Sequence, residues 1–363
     1  MIIADIIKAI EDFAPLYLQE DYDNAGLQVG NTRNEATGAM LCVDITEAIL
    51  DETIAKGCNL IISHHPLLFK GLKSISGKNE IERIVLKAIK NDVALYSAHT
   101  NIDNAWGGVS HIMASKLGLT AIEVLQPQQG SLIKIATFVP QSHCDSVQAA
   151  LFVAGAGEIG NYDSCSYCVN GTGSFRAKAG ANPFVGTLNE LHNEAEVKIE
   201  VIAPMAKKSA IIKALIDAHP YEEPAFDIIQ LANDSRYCGS GVIGNIMPEN
   251  KVKFLERLKN IFGVGAVRYS SAQINDVSKV ALCGGSGAFL IKKAIDAGAD
   301  IYVTGDVKYH DFTTFGTSII IADIGHYESE QFTKEIFYNI IQKKIPNFAT
   351  YYPDKEKNPI NYL

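Results

Sequence analysis

The sequence predicts an α/β protein: a duplicated, discontinuous outer domain built on βαβ units, interrupted by an inserted α+β domain of the ferredoxin-like sort. Three observations carry this. Apolar runs of strand length alternate with helical segments over residues 1–119, as in a parallel sheet with crossover helices. Residues 39–65 align without gaps on residues 280–306. Residues from about 130 to 233 follow a different order: strand, helix, irregular strands, strand, helix, strand. A chain of 363 residues exceeds one typical core. The expected outer domain therefore comprises 1–128 and 235–363, with 129–234 as the insertion.

Residues 1–18 read as a helix, and "EDYDNAGLQVGN" (20–31) as a polar loop entering a short strand. "GAMLCVDIT" (38–46) is a strand, and "EAILDETIAKG" (47–57) a helix closed by Gly57 just past its end. Strand "CNLIISHHP" (58–66), helix "EIERIVLKAIKND" (80–92), strand and loop "VALYSAHTNID" (93–103) and helix "GVSHIMASKLGL" (108–119) follow. In the repeat, Leu41 and Cys42 fall on Leu282 and Cys283, Gly57 on Gly298, and His65 on Asp306. The apolar helix positions Ile49 and Ile54 fall on Leu290 and Ile295. "GSGVIGNI" (239–246) returns the chain from the insertion to the outer domain. "SIIIADI" (318–324) is a last strand feeding the helix "ESEQFTKEIFYNII" (328–341).

Hydrophobic content of 47% and charged content of 20% describe an ordinary globular chain. A net charge of −9 with no basic block disfavours nucleic acid, whose phosphates need clustered Lys and Arg. The N-terminus lacks a cleavage pattern, and no apolar run approaches the ~20 residues that span a bilayer. A cytoplasmic protein without a membrane partner is expected. The seven cysteines include one lone C-x-x-C, Cys165 and Cys168. A zinc ribbon needs a second pair, so reduced thiols are expected.

The chemistry-bearing residues gather at strand ends. "LIISHHPLLF" (60–69) runs out of an apolar strand into His64 and His65. In open α/β sheets ligands sit beyond the carboxyl ends of the strands. "HTNID" brings His99 and Asp103 to a second strand end. "GHYESE" brings His326 and Glu330 to a third, at i and i+4 on one helix face. Taken alone, that pair reads as a surface ion pair. Neighbours on a strand point to opposite sides, so His64 and His65 would not easily serve one ion. Two ions bridged by a carboxylate, Glu330 or Asp103, resolve this. Imidazole and carboxylate donors without thiolate suit Zn, Mn, Fe, Co or Ni. Such a pair activates water and stabilises an oxyanion. His99 and His310 are candidate acid/base groups, against the plain reading of loop histidines. Asp44 and Asp306 end equivalent strands and are candidate partners of the ligands. "CGGSG" (283–287) reads as a tight turn rather than a phosphate loop, and His219 in "HPYEEP" as a structural turn.

"DYDNAGLQVG", "SHHP", "HTNID", "TGDVKYHD" and "GHYESE", in this order, resemble the Nif-three-like family of dinuclear-metal hexameric proteins, also called GTP cyclohydrolase 1 type 2. The resemblance covers about 1–128 and 235–350. The insertion, with "NPFVG" and "HPYEEPAFD", looks like the PII-like domain of the longer members. Tyr22 stands where the family usually has Trp before "DN". The resemblance implies two divalent metal ions per chain, held by His64, His65, Asp103, His326 and Glu330, with Glu330 bridging. It further implies a homo-hexamer and hydrolysis of a purine nucleotide, GTP, at C8. The alternative is a non-enzymatic metal-holding scaffold whose insertion binds an effector or a protein. The tail "YYPDKEKNPINYL" (351–363) lies beyond these motifs.

Overall fold

The computed structural model describes residues 1–233, 235 and 237–363. The chain divides into two compact units, Met1–Pro127 together with Arg236–Leu363, and Gln128–Ser235.

The first sheet of the outer unit contains β1 (Gly26–Val29), β2 (Ala39–Cys42), β3 (Leu60–Ser63) and β4 (Ala94–Ser97), in the order β1-β4-β3-β2. β2, β3 and β4 are parallel, and β1 runs antiparallel on β4. Every residue of β2, β3 and β4 is buried, as expected of parallel strands covered on both faces. Met40, Ile61 and Leu95 pack on Ile49 and Leu50 of the helix Glu47–Ala55 and on Ile84 and Ala88 of the helix Glu80–Lys90. Leu41, Ile62 and Tyr96 face the main core. Local signals set the ends of the helix Glu47–Ala55. Thr46 accepts from Ile49 N at its start, and Gly57 follows it with φ +69°. Residues 1–18 are not one helix: it spans Ile3–Phe13, and a single 3₁₀ turn, Leu16–Leu18, follows Pro15.

β5 (Thr120–Pro127) leads to the insertion, which contains β6 (Leu132–Pro140), β7 (Ser166–Arg176), β8 (Leu191–Pro204) and β9 (Phe226–Gln230). Its helices, Cys144–Val153 and Lys208–Ala218, follow β6 and β8. The order β7-β8-β6-β9 with antiparallel neighbours is the ferredoxin-like arrangement. Ile133, Ile135, Ile199 and Val201 pack on Val147, Leu151, Ile211 and Leu215 of the helices. The glycine-rich stretch expected as irregular strands is one regular edge strand, β7. Gly171 and Gly173 stay in register with Glu196 and Glu194, because extended backbone tolerates glycine where the partner strand is long.

The second sheet of the outer unit adds β10 (Gly239–Asn250), β11 (Arg268–Tyr269), β12 (Asp276–Leu282), β13 (Ile301–Thr304) and β14 (Ile320–Asp323) to β5, in the order β11-β14-β13-β12-β10-β5. β15 (Thr350–Tyr351) pairs parallel with β2 of the first sheet. The duplication is wider than the aligned stretch. Strand order β1-β4-β3-β2 repeats as β11-β14-β13-β12 with the same directions. Ala39 pairs with Leu60 and Val280 with Ile301, the residues that the alignment of 39–65 on 280–306 equates. Val280, Leu282, Ile301, Val303 and Ile320 join the main core with the inner face of the first sheet. The expected helix 328–341 is two pieces, His326–Glu330 and Thr333–Lys344. Among the described residues no helix is long and apolar enough to cross a membrane.

Candidate metal centre

β3 ends at Ser63, so His64 and His65 lie past the strand and strict alternation no longer applies to them. The expectation that they point apart is corrected: their ring centroids are 5.0 Å apart, and both face Glu330. The turn after β4 starts the helix Thr100–Asn104, which carries Asp103, with His99 just before it. The equivalent turn after β14 starts the helix His326–Glu330. Both sheets thus deliver His-x-x-x-acid from the same strand position.

Each ring is held from behind. Nδ1 of His65 donates to Asp44 Oδ1 at 2.8 Å, and Nδ1 of His326 to Asp306 Oδ2 at 2.7 Å. Nδ1 of His99 donates to Asp23 Oδ1 at 2.7 Å, and Nδ1 of His64 to the Ala98 carbonyl at 3.0 Å. These bonds select the tautomer that leaves the far nitrogen available, as partners behind metal-ligating histidines do. Glu330 is buried, and its two oxygens are divided. Oε1 lies 3.4 Å from His64 Nε2, while Oε2 lies 2.9 Å from His65 Nε2 and 3.0 Å from His326 Nε2. Asp103 Oδ1 lies 3.7 Å from His64 Nε2.

The electrostatics favour a cation. Burial lowers the basicity of His65, yet the Asp44 and Glu330 carboxylates outweigh it and push its pKa up to about 10. His326 rises to about 9 against the same burial, through Glu330 and Asp306. Glu330 is buried, which would raise it, but His64, His326 and His65 hold it well below the carboxylate range. Burial pushes Asp103 up to about 7. The nearby Cys283 thiol is driven by burial up to about 12, so it stays protonated and is no thiolate donor.

The residues fit a metal ion on a structural observation. His64 Nε2 and Asp103 Oδ1 are both buried, and neither has a hydrogen-bond partner. A buried lone pair left unmatched is costly unless something fills the place. Among the described residues two groups have donor atoms within 4.8 Å of one another: His64, His65 and His99, and His65, His326 and Glu330. His310 is in neither. It is exposed on the helix Tyr309–Phe315, its ring 5.5 Å from that of Tyr309.

The "CGGSG" loop is a tight turn. Gly285 N donates to Ser329 Oγ and Gly287 N to Thr304 Oγ1, both at 2.9 Å. Gly285, at φ +60°, leaves the space that Glu330 Oε1 occupies. Tyr22 and Phe69 lie 6.5 Å apart at their ring centroids, and Phe69 is 6.2 Å from His99.

Two partners escaped sequence reading. Asp23 binds both His99 and Thr100 N, and stands in the "DYDN" motif, which was a signal in plain view. Glu356 has no such signal. From the tail it accepts Val43 N at 2.6 Å, beside Asp44, and pairs with Lys334.

The chain is similar to known proteins over nearly its whole length. The family model for Duf34/NIF3 (NGG1p interacting factor 3) matches residues 1–359. A Halalkalibacterium halodurans protein named "GTP cyclohydrolase 1 type 2 homolog" is 40% identical over 326 residues, 88% of this chain and 87% of that protein. A Bacillus subtilis protein of the same name is 39% identical over 335 residues, 91% of this chain and 89% of that protein. The crystal structure of a Bacillus cereus protein related to NIF3 superposes with a TM-score of 0.85 at 36% identity, covering 100% of this chain and 99% of that one.

Proposed function

The chain belongs to the DUF34/NIF3 family, and from that premise we propose that its histidine–carboxylate cluster holds two divalent ions and serves a hydrolase acting on a purine nucleotide. The observation that carries the reading is Glu330. One oxygen meets His64, and the other meets His65 and His326, the division expected of a bridging carboxylate. His64 and Asp103 would complete one site, and His65 and His326 the other. The ion is one of Zn, Mn, Fe, Co or Ni. When bound, the pair supplies Lewis acidity and lowers the pKa of water.

This chain's own residues do the rest. His99, backed by Asp23, is positioned to move a proton at the substrate ring. Tyr22 and Phe69 offer aromatic faces to a planar base. The reaction in this reading is attack of water at C8 of GTP, opening the imidazole ring. The relatives' name supports the substrate class. The test is metal analysis and nucleotide turnover of the purified protein beside His65→Ala, Glu330→Gln and His99→Ala. Two ions per chain, lost in part in Glu330→Gln, with turnover lost but metal kept in His99→Ala, is the expected result. No metal after loading sinks the site, and metal without turnover of any purine nucleotide sinks the hydrolase.

A non-enzymatic scaffold is the second reading. The insertion supports it, because it has a core of its own and its PII-like character suggests an effector. A ring of six cytoplasmic chains belongs to both readings on family grounds. Light scattering should give a hexameric mass, and a stable monomer would reject the ring.

A further inference from the structure

Three stretches of the insertion have no place in the metal centre: "GTGSFR" (171–176), "NPFVG" (182–186) and "HPYEEP" (219–224). The fold brings all three to one cavity of about 950 Å³. Its floor is the sheet face turned away from the helices. Strand alternation puts Gly171, Gly173 and Phe175 of β7 on that face with Glu196 and Lys198 of β8. Gly171 makes the room: a Cβ there would have nothing within 4 Å. His219 sets one wall. Its Nδ1 accepts from Tyr221 N at 3.1 Å, so Nε2 donates to the Phe138 carbonyl at 3.0 Å. The other wall is fixed by Glu222, which accepts from Asn182 N at 2.9 Å and anchors the stretch carrying Phe184.

We propose that this cavity binds a small organic cation, an ammonium group on an apolar body. The side chain that decides this is Glu196, only 8% exposed. Tyr221 OH donates to its Oε1 at 2.8 Å, while its Oε2 lies over Gly173, 2.1 Å from where a Cβ would stand. A carboxylate so enclosed needs a counter-charge. Among the described residues no cationic side chain forms an ion pair with it: Lys198, on the same face, is paired with Glu200 at 2.6 Å. Aromatic rings complete the site. Phe175 and Phe184 lie 6.2 Å and 6.3 Å from Tyr221, centroid to centroid. Ring faces attract cations, and ammonium groups most of all where water is excluded. At the exposed rim Arg176 and Lys178 offset Glu222 and Glu223, and solvent screens all four. Glu196 therefore sets the sign, and an anionic ligand such as a nucleotide is disfavoured.

Saturation-transfer NMR on the full-length protein tests this with two ligands of one shape, choline and its neutral carbon analogue 3,3-dimethylbutan-1-ol. Choline should bind at least about tenfold more tightly than the alcohol, the margin that charge and rings together supply. Glu196→Gln keeps an acceptor for Tyr221 and should erase that margin. Gly171→Leu should abolish choline binding at an unchanged melting temperature, since the strand tolerates a side chain there. Equal binding of both ligands, no binding of choline at millimolar concentration, or binding that survives both variants would overturn the proposal. So would a change of assembly mass in Gly171→Leu without any choline signal, which would make this face an interface between copies.

Discussion

Replacing Gly285 by alanine tests the position of Glu330 without touching any proposed ligand. Gly285 sits at φ +60°, and an added Cβ would stand 2.2 Å from Glu330 Oε1. The left-handed backbone costs a non-glycine residue about 1–2 kcal/mol. Ordinary carbon–oxygen contact also requires the carboxylate to retreat by roughly 1 Å. Glu330 has little room to do so, being 3% exposed with His65 Nε2 and His326 Nε2 at 2.9 Å and 3.0 Å. A displaced carboxylate should cost about 10–100-fold in metal affinity, the usual effect of misplacing a ligand. Gly57→Ala and Gly298→Ala are the controls. They have φ +69° and +73°, with nothing within 4 Å of an added Cβ. Chelator competition followed by elemental analysis reads affinity, and urea unfolding of the metal-free proteins reads stability. The two controls should lose about 1–2 kcal/mol and Gly285→Ala at least as much, since it adds the clash with Glu330, and only Gly285→Ala should lose metal affinity. If Gly285→Ala holds metal as tightly as the controls, Glu330 is not a shared ligand and the reasoning fails.

Three further outcomes follow from other parts of the fold. His111 lies 4.2 Å from Trp106, its Nε2 is buried without a hydrogen bond, and burial holds its pKa down to about 4. Between about pH 6.5 and 4 the unfolded chain then binds more protons than the folded one, so stability is lost as pH is lowered through that window, by at most about 3 kcal/mol. His111→Phe should flatten this slope in urea titrations, and an unchanged slope would remove His111 as its source. Deleting 128–235 and joining the ends with a short turn should leave a folded, metal-binding outer unit, because Pro127 and Gly239 are already paired across β5 and β10. Precipitation of that variant would show that the insertion is needed for the fold. Glu356→Gln should cost about 1–3 kcal/mol, because it leaves Lys334 without its partner. Most of that loss should return in the double variant with Lys334→Met, and failure to recover would mean that the Lys334 pair is not the source of the loss.

Sequence alone determined what short-range pattern can encode. Apolar runs marked β2, β3, β4 and β14, Gly57 closed a helix, and the motifs ending those strands named the candidate ligands. The repeat was visible only over 39–65 and 280–306, because there both copies keep equivalent apolar positions. Tertiary structure decided the rest. His64 and His65 converge because β3 stops one residue before them, a boundary set by pairing with β2 and β4 rather than by the apolar run. Residues 328–341 divide in two because His326–Glu330 follows the turn after β14 while Thr333–Lys344 follows the core. Asp23 reaches His99 and Glu356 reaches Val43 across long stretches of chain. Such contacts have no period to read, since they arise only when packing brings distant carboxylates to unsatisfied donors. The cavity in the insertion is of the same kind: stretches read separately as irregular strand, family motif and turn became one lining once the edge strand paired and left Gly171 facing open space.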